Sequence, residues 1–205
     1  MKLSLKLIKD IKRFKKINLI LSGGRSPIKE YEKLFKKKLN WENVSLFLLD
    51  DRLVRTNDKR SNYYNINRIL EKNNLHNKLC SINKYYLNKT KINQISKKLQ
   101  KKKTIAVLGM GNDGHYASIF RESKKYKLLT NILKKPYFYR VEPLGKPKVS
   151  RVTMNLSMIL LSSKIYLILN NKTKRNLFNH AKKFKDCDRY SICSLLQNRK
   201  KIIIS

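Results

Sequence analysis

The 205-residue chain is poor in acidic residues and in cysteine, and it has no long hydrophobic run. Three cysteines, an odd number in a chain of this size, exclude a disulfide scaffold of the kind seen in small secreted domains. No apolar run approaches the roughly 18–20 residues that a membrane-spanning helix requires. The first ten residues alternate lysine with apolar residues and lack the features of a signal peptide. We therefore expect a soluble, cytoplasmic protein without a membrane partner.

The acidic residues number 13 against 49 lysines and arginines, which gives a formal net charge of +36. Such a charge is typical of proteins that bind nucleic acid. However, lysine supplies 37 of the 49 basic residues, and asparagine and isoleucine are also abundant, as AT-rich codons would produce. Phosphate-binding surfaces favour arginine wherever two-pronged hydrogen bonding matters. We interpret the charge as compositional drift and expect no nucleic-acid partner, with a basic nucleic-acid-binding protein as the alternative.

The length fits one domain, residues 1–205, with a sizeable core. Apolar runs bounded by turn residues alternate with stretches of helical periodicity. This alternation predicts an α/β fold, doubly wound, with a mainly parallel sheet and helices on both faces. We predict strands at 17–21, 44–49, 104–108, 137–141, 165–169 and 201–204, and helices at 3–14, 27–38, 61–72, 91–101, 153–162 and 173–184; residues 121–135 remain unassigned.

Polar and glycine-rich segments follow three of these strands, where parallel α/β sheets bind ligands. The first is Ser22-Gly-Gly-Arg-Ser-Pro27, which leads into a helix and suits an anion such as phosphate. The second, Asp50-Asp-Arg52, could orient a sugar and its charged groups. Each of these two segments is also compatible with an ordinary turn or a surface ion pair.

The third segment, residues 109–115, is the most informative. It places Asp113 and His115 on one glycine-rich loop, where the carboxylate can fix the imidazole tautomer and the imidazole can transfer a proton. The other histidines, His76 and His180, lie among lysines and asparagines without such a context. We predict His115 as the reactive histidine. Cys187 and Cys193 match no metal-site spacing, and we expect neither a metal nor an organic cofactor.

The ordered motifs resemble those of the 6-phosphogluconolactonases, in a group that also contains glucosamine-6-phosphate deaminases. They are Ser22-Gly-Gly-x-Ser-Pro27, Asp50-Asp-Arg-x-Val54 with Ser61-Asn62, Gly109-Met-Gly-Asn-Asp-Gly-His-x-Ala-Ser118 and Arg151-Val-Thr153. The resemblance implies hydrolysis of 6-phospho-D-glucono-1,5-lactone to 6-phospho-D-gluconate. It also implies an N-terminal segment shorter than the family's, because 21 residues precede Ser22. The sequence does not fix the oligomeric state, for which we expect a monomer.

The resemblance also implies roles for individual residues. His115 would be the general base, Asp113 its orienting partner, Asp50 the residue that positions the sugar, and Arg52 a contact to the oxyanion or to the phosphate. The phosphate would be bound by Gly23, Gly24, Arg25, Ser26, Arg151 and Lys174. A deaminase is the alternative enzyme, but that branch has Glu five residues after the histidine and Tyr after its Asp-Glu pair. This chain has Phe120 and Arg52 there, which favours the lactonase.

Overall fold

The computed structural model describes residues 2–198 and 202–205, except for the side chains of Arg25 and Ser26. Its centre is a five-stranded parallel sheet with the strand order β2-β1-β4-β7-β8. The strands are β1 at Ile17–Leu21, β2 at Val44–Leu48, β4 at Lys103–Gly109, β7 at Lys164–Ile168 and β8 at Ile202–Ile204. The inner strands β1 and β4 are almost fully buried, as expected for a sheet covered on both faces. The predicted α/β class is confirmed.

Three further strands form a separate antiparallel sheet in the order β3-β6-β5. They are β3 at Asp50–Arg52, β5 at Phe138–Leu144 and β6 at Val149–Met154. The strand predicted at 137–141 therefore exists, but it lies in this small sheet and not beside the parallel strands. The short β3 pairs Asp50 with Thr153 and Arg52 with Arg151, so the second sheet carries two of the predicted site residues toward each other.

The helix predicted at 153–162 is wrong over most of its length. Strand β6 extends to Met154, and only a single turn, α6 at Leu156–Ile159, follows it. Val152 and Thr153 pair with strands on both sides, a long-range interaction that overrides the local helical pattern. Asn155 then starts α6 by accepting a hydrogen bond from the Met158 N–H.

The other predicted helices agree with the structure to within about three residues at each end. Helix α4, at Lys89–Lys101, is an example. It buries Ile92, Ile95, Ser96 and Leu99 along one face, which is the spacing of an amphipathic helix. The segment left unassigned contains α5, and α8 was not predicted. The helices are α1 at Leu3–Arg13, α2 at Arg25–Phe35, α3 at Asn62–Glu71, α4 at Lys89–Lys101, α5 at Tyr126–Thr130, α7 at Lys172–Phe184 and α8 at Ile192–Leu196.

The structure joins Cys187 and Cys193 in a disulfide, which the sequence analysis did not predict. The bridge joins two cysteines that are six positions apart, one just after α7 and the other in α8. Cys80 is exposed and is not part of this disulfide. One local bridge of this kind does not make a disulfide scaffold. Among the described residues, no helix is both long enough and apolar enough to cross a membrane.

Candidate active site

The candidate site lies at the switch point of the parallel sheet. After β1 the chain places β2 on one side, and it later returns to place β4 on the other side of β1. The carboxyl ends of these strands therefore open a crevice, which is where α/β sheets bind ligands. A cavity of about 170 Å³ occupies this crevice, and its lining includes Gly23, Gly24, Asp50, Arg52, His115, Arg151 and Lys174 from the sequence prediction.

Asp113 lies beside this cavity and contacts His115. Its Oδ1 is 2.5 Å from His115 Nδ1 and also accepts from the His115 N–H at 3.3 Å. Partial burial raises the pKa of Asp113, but the hydrogen bond and charge of His115 outweigh this effect and hold that pKa below its usual range. An ionised carboxylate can only accept, so Nδ1 carries a proton in either charge state of the imidazole, and in the neutral ring the lone pair is on Nε2.

The loop that carries this pair turns tightly around Gly111. The Gly111 N–H donates to the His115 carbonyl at 2.8 Å, and the Gly114 N–H donates to the Gly111 carbonyl at 3.2 Å. A Cβ added at Gly111 would collide with Asp113 Oδ1 and with the His115 ring. Glycine is required here because the paired side chains lie directly over its Cα.

Asp50 is 5% exposed. It belongs to β3 of the antiparallel sheet and lines the cavity from that side. Its Oδ2 accepts a 2.6 Å hydrogen bond from the buried Ser118 hydroxyl. Its Oδ1 has only a longer contact, 3.3 Å, with the Asn62 amide. The carboxylate is thus held in place while one oxygen retains capacity to accept a hydrogen bond from a ligand hydroxyl.

Asp51, the neighbouring carboxylate, has a structural role instead. It is fully buried and accepts hydrogen bonds from the Ser61 hydroxyl and from three backbone N–H groups, two of them in the first turn of α3. Burial raises the pKa of Asp51 despite these hydrogen bonds. A carboxylate at a helix N-terminus is stabilised there, so Asp51 fixes α3 against β3.

The segment after β1 brings backbone close to the cavity. No Cβ fits at Gly23, because the Asn62 amide occupies that space. Gly24 is the N-cap of α2 and has no side chain to accept from the helix. Pro27 has no N–H and the Ile28 N–H donates to the Gly24 carbonyl, so the backbone donors of this turn that can face a ligand are those of residues 25 and 26. The side chains of Arg25 and Ser26 lie outside the described residues, and their predicted phosphate contacts stay predictions.

Two buried polar atoms at this cavity, Ser22 Oγ and Arg52 Nε, have no hydrogen-bond partner within the part of the chain that the structure describes. Arg52 Nη1, by contrast, donates to Asn62 Oδ1 at 2.5 Å and to the Arg60 carbonyl at 2.9 Å. Buried polar groups normally have partners, and a polar ligand or a water molecule in this cavity would supply them.

Arg151 and Lys174 are the other cations of the cavity. Arg151 is 3% exposed and donates to the carbonyls of Leu144 and Pro147, which leaves fewer of its donors for a ligand. Burial, and then repulsion from Arg52, lowers the pKa of Arg151. Burial also lowers the pKa of Lys174, although the Asp113 carboxylate opposes that shift. Lys174 lines the same cavity as His115.

Comparison with known proteins identifies the family of the chain. Residues 2–203 match the family described as glucosamine-6-phosphate isomerases/6-phosphogluconolactonase. The chain belongs to this family. It is 32% identical over 185 residues to the 6-phosphogluconolactonase of Thermotoga maritima, covering 85% of this chain and 79% of that one. It is 30% identical over 169 residues to the Neisseria meningitidis 6-phosphogluconolactonase, covering 80% and 73%. A crystal structure of a Shewanella baltica 6-phosphogluconolactonase superposes with a TM-score of 0.80 at 26% identity, covering 98% of this chain and 91% of that chain.

Within this family member, sequence reasoning missed three residues of the site. Asn62 bridges Gly23, Arg52 and Asp50, although the sequence analysis quoted it only as part of a motif. Ser118 holds Asp50 across a separation of 68 residues. Phe120 stacks on His115 with ring centroids 4.3 Å apart. The quoted motifs contain Asn62 and Ser118, and the sequence analysis used Phe120 only to separate the lactonase from the deaminase. The folded chain shows which atoms these three residues contact.

No group of three or more His, Cys, Asp or Glu side chains in residues 2–198 and 202–205 is arranged to hold a metal ion.

Proposed function

We propose that this chain hydrolyses 6-phospho-D-glucono-1,5-lactone to 6-phospho-D-gluconate, the second step of the oxidative pentose phosphate route. The observation that carries the proposal is the Asp113–His115 pair at a cavity that also holds two orphaned polar atoms. The names of the relatives support the same substrate.

In the proposed reaction, His115 Nε2 accepts a proton from a water molecule while the water oxygen attacks the lactone carbonyl carbon. Asp113 keeps Nδ1 protonated and stabilises the imidazolium that forms. As the tetrahedral intermediate collapses, the bond from that carbon to the ring oxygen breaks. The imidazolium then returns its proton to the leaving oxygen, which becomes the 5-hydroxyl of the product.

The phosphate lies, in this proposal, at Gly23, Gly24 and the first turn of α2. Helix N-termini bind phosphate through open N–H groups. Arg52 belongs to this end of the substrate, because it donates to the same Asn62 amide that packs against Gly23. Arg151 and Lys174 add positive charge, and Asp50 accepts from a sugar hydroxyl.

Phe120 favours the lactonase over the deaminase. Its ring stacks on His115 at the place where the deaminase pattern has an acid, so that position supplies no carboxylate for a proton shuttle between carbons.

The cytoplasmic location stays a prediction, and a disulfide such as Cys187–Cys193 is normally reduced in that compartment. The monomeric state and the lack of a nucleic-acid partner also stay predictions.

The test is lactone hydrolysis by purified protein, measured above the spontaneous rate. We expect His115→Ala to lower kcat by about 10²–10⁴-fold, the usual effect of removing a general base. His76→Ala, which removes an exposed histidine elsewhere, should retain full activity. A wild-type rate equal to the blank would refute the proposal, and turnover of glucosamine 6-phosphate would favour the deaminase.

A further inference from the structure

A second and larger cavity, of about 620 Å³, lies beside the catalytic one between α2 and α3. It shares Gly24, Arg52 and Asn62 with the catalytic cavity but otherwise has its own lining. The volume of this groove falls within the roughly 300–1,000 Å³ typical of small-molecule sites.

The groove has two helical walls with regular spacing. Ile28, Glu32 and Lys36 follow one another at four-residue intervals and therefore lie on one face of α2 and its C-terminal end. Arg68 and Lys72 have the same spacing on α3. Both helices therefore contribute cations to the lining of the same groove.

The charges of the groove are unbalanced. Lys36, Arg68 and Lys72 line it with Arg52, against the single carboxylate of Glu32. Within the described residues, none of the four cations lies within ion-pair distance of a carboxylate. A concave surface with excess positive charge attracts anions, and arginine suits phosphate in particular.

The groove also has an apolar part. Ile69 is 7% exposed and Ile28 is half-buried, and both line the space between the cations. The amides of Asn65 and Asn73 donate to nearby backbone carbonyls, and within the described part of the chain their side-chain oxygens accept no hydrogen bond. A bare phosphate would use neither the apolar surface nor these acceptors.

We propose that this groove is a second ligand site and binds a nucleoside diphosphate. The base lies against Ile28 and Ile69, where its amino group can donate to an asparagine oxygen. The two phosphates lie between Lys36, Arg68 and Lys72. This site adjoins the catalytic cavity and shares Gly24, Arg52 and Asn62 with it, but the residues proposed to hold the two phosphates lie outside that cavity. The binding test therefore does not depend on hydrolytic activity.

Isothermal titration calorimetry with ADP, at fixed low ionic strength, tests the proposal on the full chain. We expect saturable binding that weakens about tenfold or more in R68Q/K72Q, since one lost charge-assisted hydrogen bond corresponds to roughly that factor. The matched control is K97Q/K101Q, which removes the same charge at the same spacing from two exposed lysines of α4 and should bind ADP as the wild type does. Lys174→Gln, in the catalytic cavity, should also leave ADP binding unchanged.

Pyrophosphate and adenosine serve as the two half-ligands, and each should bind at least about tenfold more weakly than ADP. The proposal is overturned if ADP shows no saturable binding to the wild type, or if both double variants weaken it equally. Loss of binding in K174Q with retention in R68Q/K72Q would place ADP in the catalytic cavity instead. Pyrophosphate binding as tightly as ADP would refute the nucleoside assignment.

Discussion

Gly111→Ala is the sharpest test of the Asp113–His115 pair, because it adds one methyl group beneath both side chains. The added Cβ would lie well inside 3.0 Å of Asp113 Oδ1 and of two atoms of the His115 ring, a separation that real Cβ atoms do not show. The backbone at Gly111 does not lie in the left-handed region, so alanine causes no conformational strain of its own. The collision must therefore be relieved by moving the paired side chains.

The required shift is roughly 0.5–1 Å, and a misplacement of about 1 Å at a reacting group lowers a rate by about 10²-fold. We expect a fall in kcat of that order. The atoms that move are the ends of partly exposed side chains, 28% exposed for His115 and 51% for Asp113, so they can rotate outward without opening the core. The free energy of unfolding should change by less than about 1 kcal/mol, which is about 2–4 °C in Tm for a chain of this size.

The assay combines steady-state lactone hydrolysis with thermal unfolding. Gly109→Ala is the matched control, because it adds the same methyl two residues earlier, where the nearest atom, Ser22 Oγ, is 4.0 Å away. It should keep kcat within a few-fold of the wild type. A G111A enzyme with unchanged kcat, or equal losses in both variants, would refute the claim that the pair's geometry sets the rate.

Three further predictions concern stability and substrate capture. Ser118→Ala removes the donor to the buried Asp50 carboxylate, and urea unfolding should show a loss of about 1–3 kcal/mol; a change within error would contradict the importance of that hydrogen bond. Partial burial raises the pKa of Glu30, but hydrogen bonds from Lys33 and Ser4 outweigh it and hold the pKa below 4.5. The unfolded chain therefore binds this proton first, so the stability that Glu30 contributes is present above pH 4.5 and lost as the pH falls through the lower folded pKa. Glu30→Gln should remove that part of the acid dependence, and identical pH profiles would refute it. With a net charge of +36, kcat/KM for an anionic lactone should fall several-fold from low to high ionic strength, whereas a flat profile would exclude steering.

The sequence was sufficient to predict the parallel strands and the loops that follow them. Strand β1, at Ile17–Leu21, has the predicted bounds, and β4 differs by one residue at each end. These segments are short apolar runs followed at once, or after one serine, by glycine, so local composition alone marks both the strand and its end. The loop at 109–115 was predictable for the same reason, since Asp113 and His115 are two residues apart and need no distant partner to meet.

The pairing of β3 in the antiparallel sheet was not predictable, because its partner β6 is distant in the sequence, whereas β5 and β6 are consecutive strands. Strand β3 is only three residues long, and it forms because Asp50 and Arg52 pair with Thr153 and Arg151 about 100 residues later. A local pattern cannot contain such a pairing. The same limit explains why Ser118 was missed as the partner of Asp50.

The loop at 109–115 is also fixed by contacts with residues 190–194. The Ile192 N–H donates to the Gly114 carbonyl at 2.9 Å, and the ring of Tyr190 packs against the Gly114 backbone. One residue past His115, the buried Tyr116 hydroxyl bonds to Ser194 Oγ at 2.9 Å. With its backbone held at these points, the loop cannot relieve a clash by shifting as a whole, so a collision at Gly111 must fall on the Asp113 and His115 side chains. Because of this restraint, we expect the added methyl group to displace the His115 side chain and lower kcat while the free energy of unfolding stays almost unchanged.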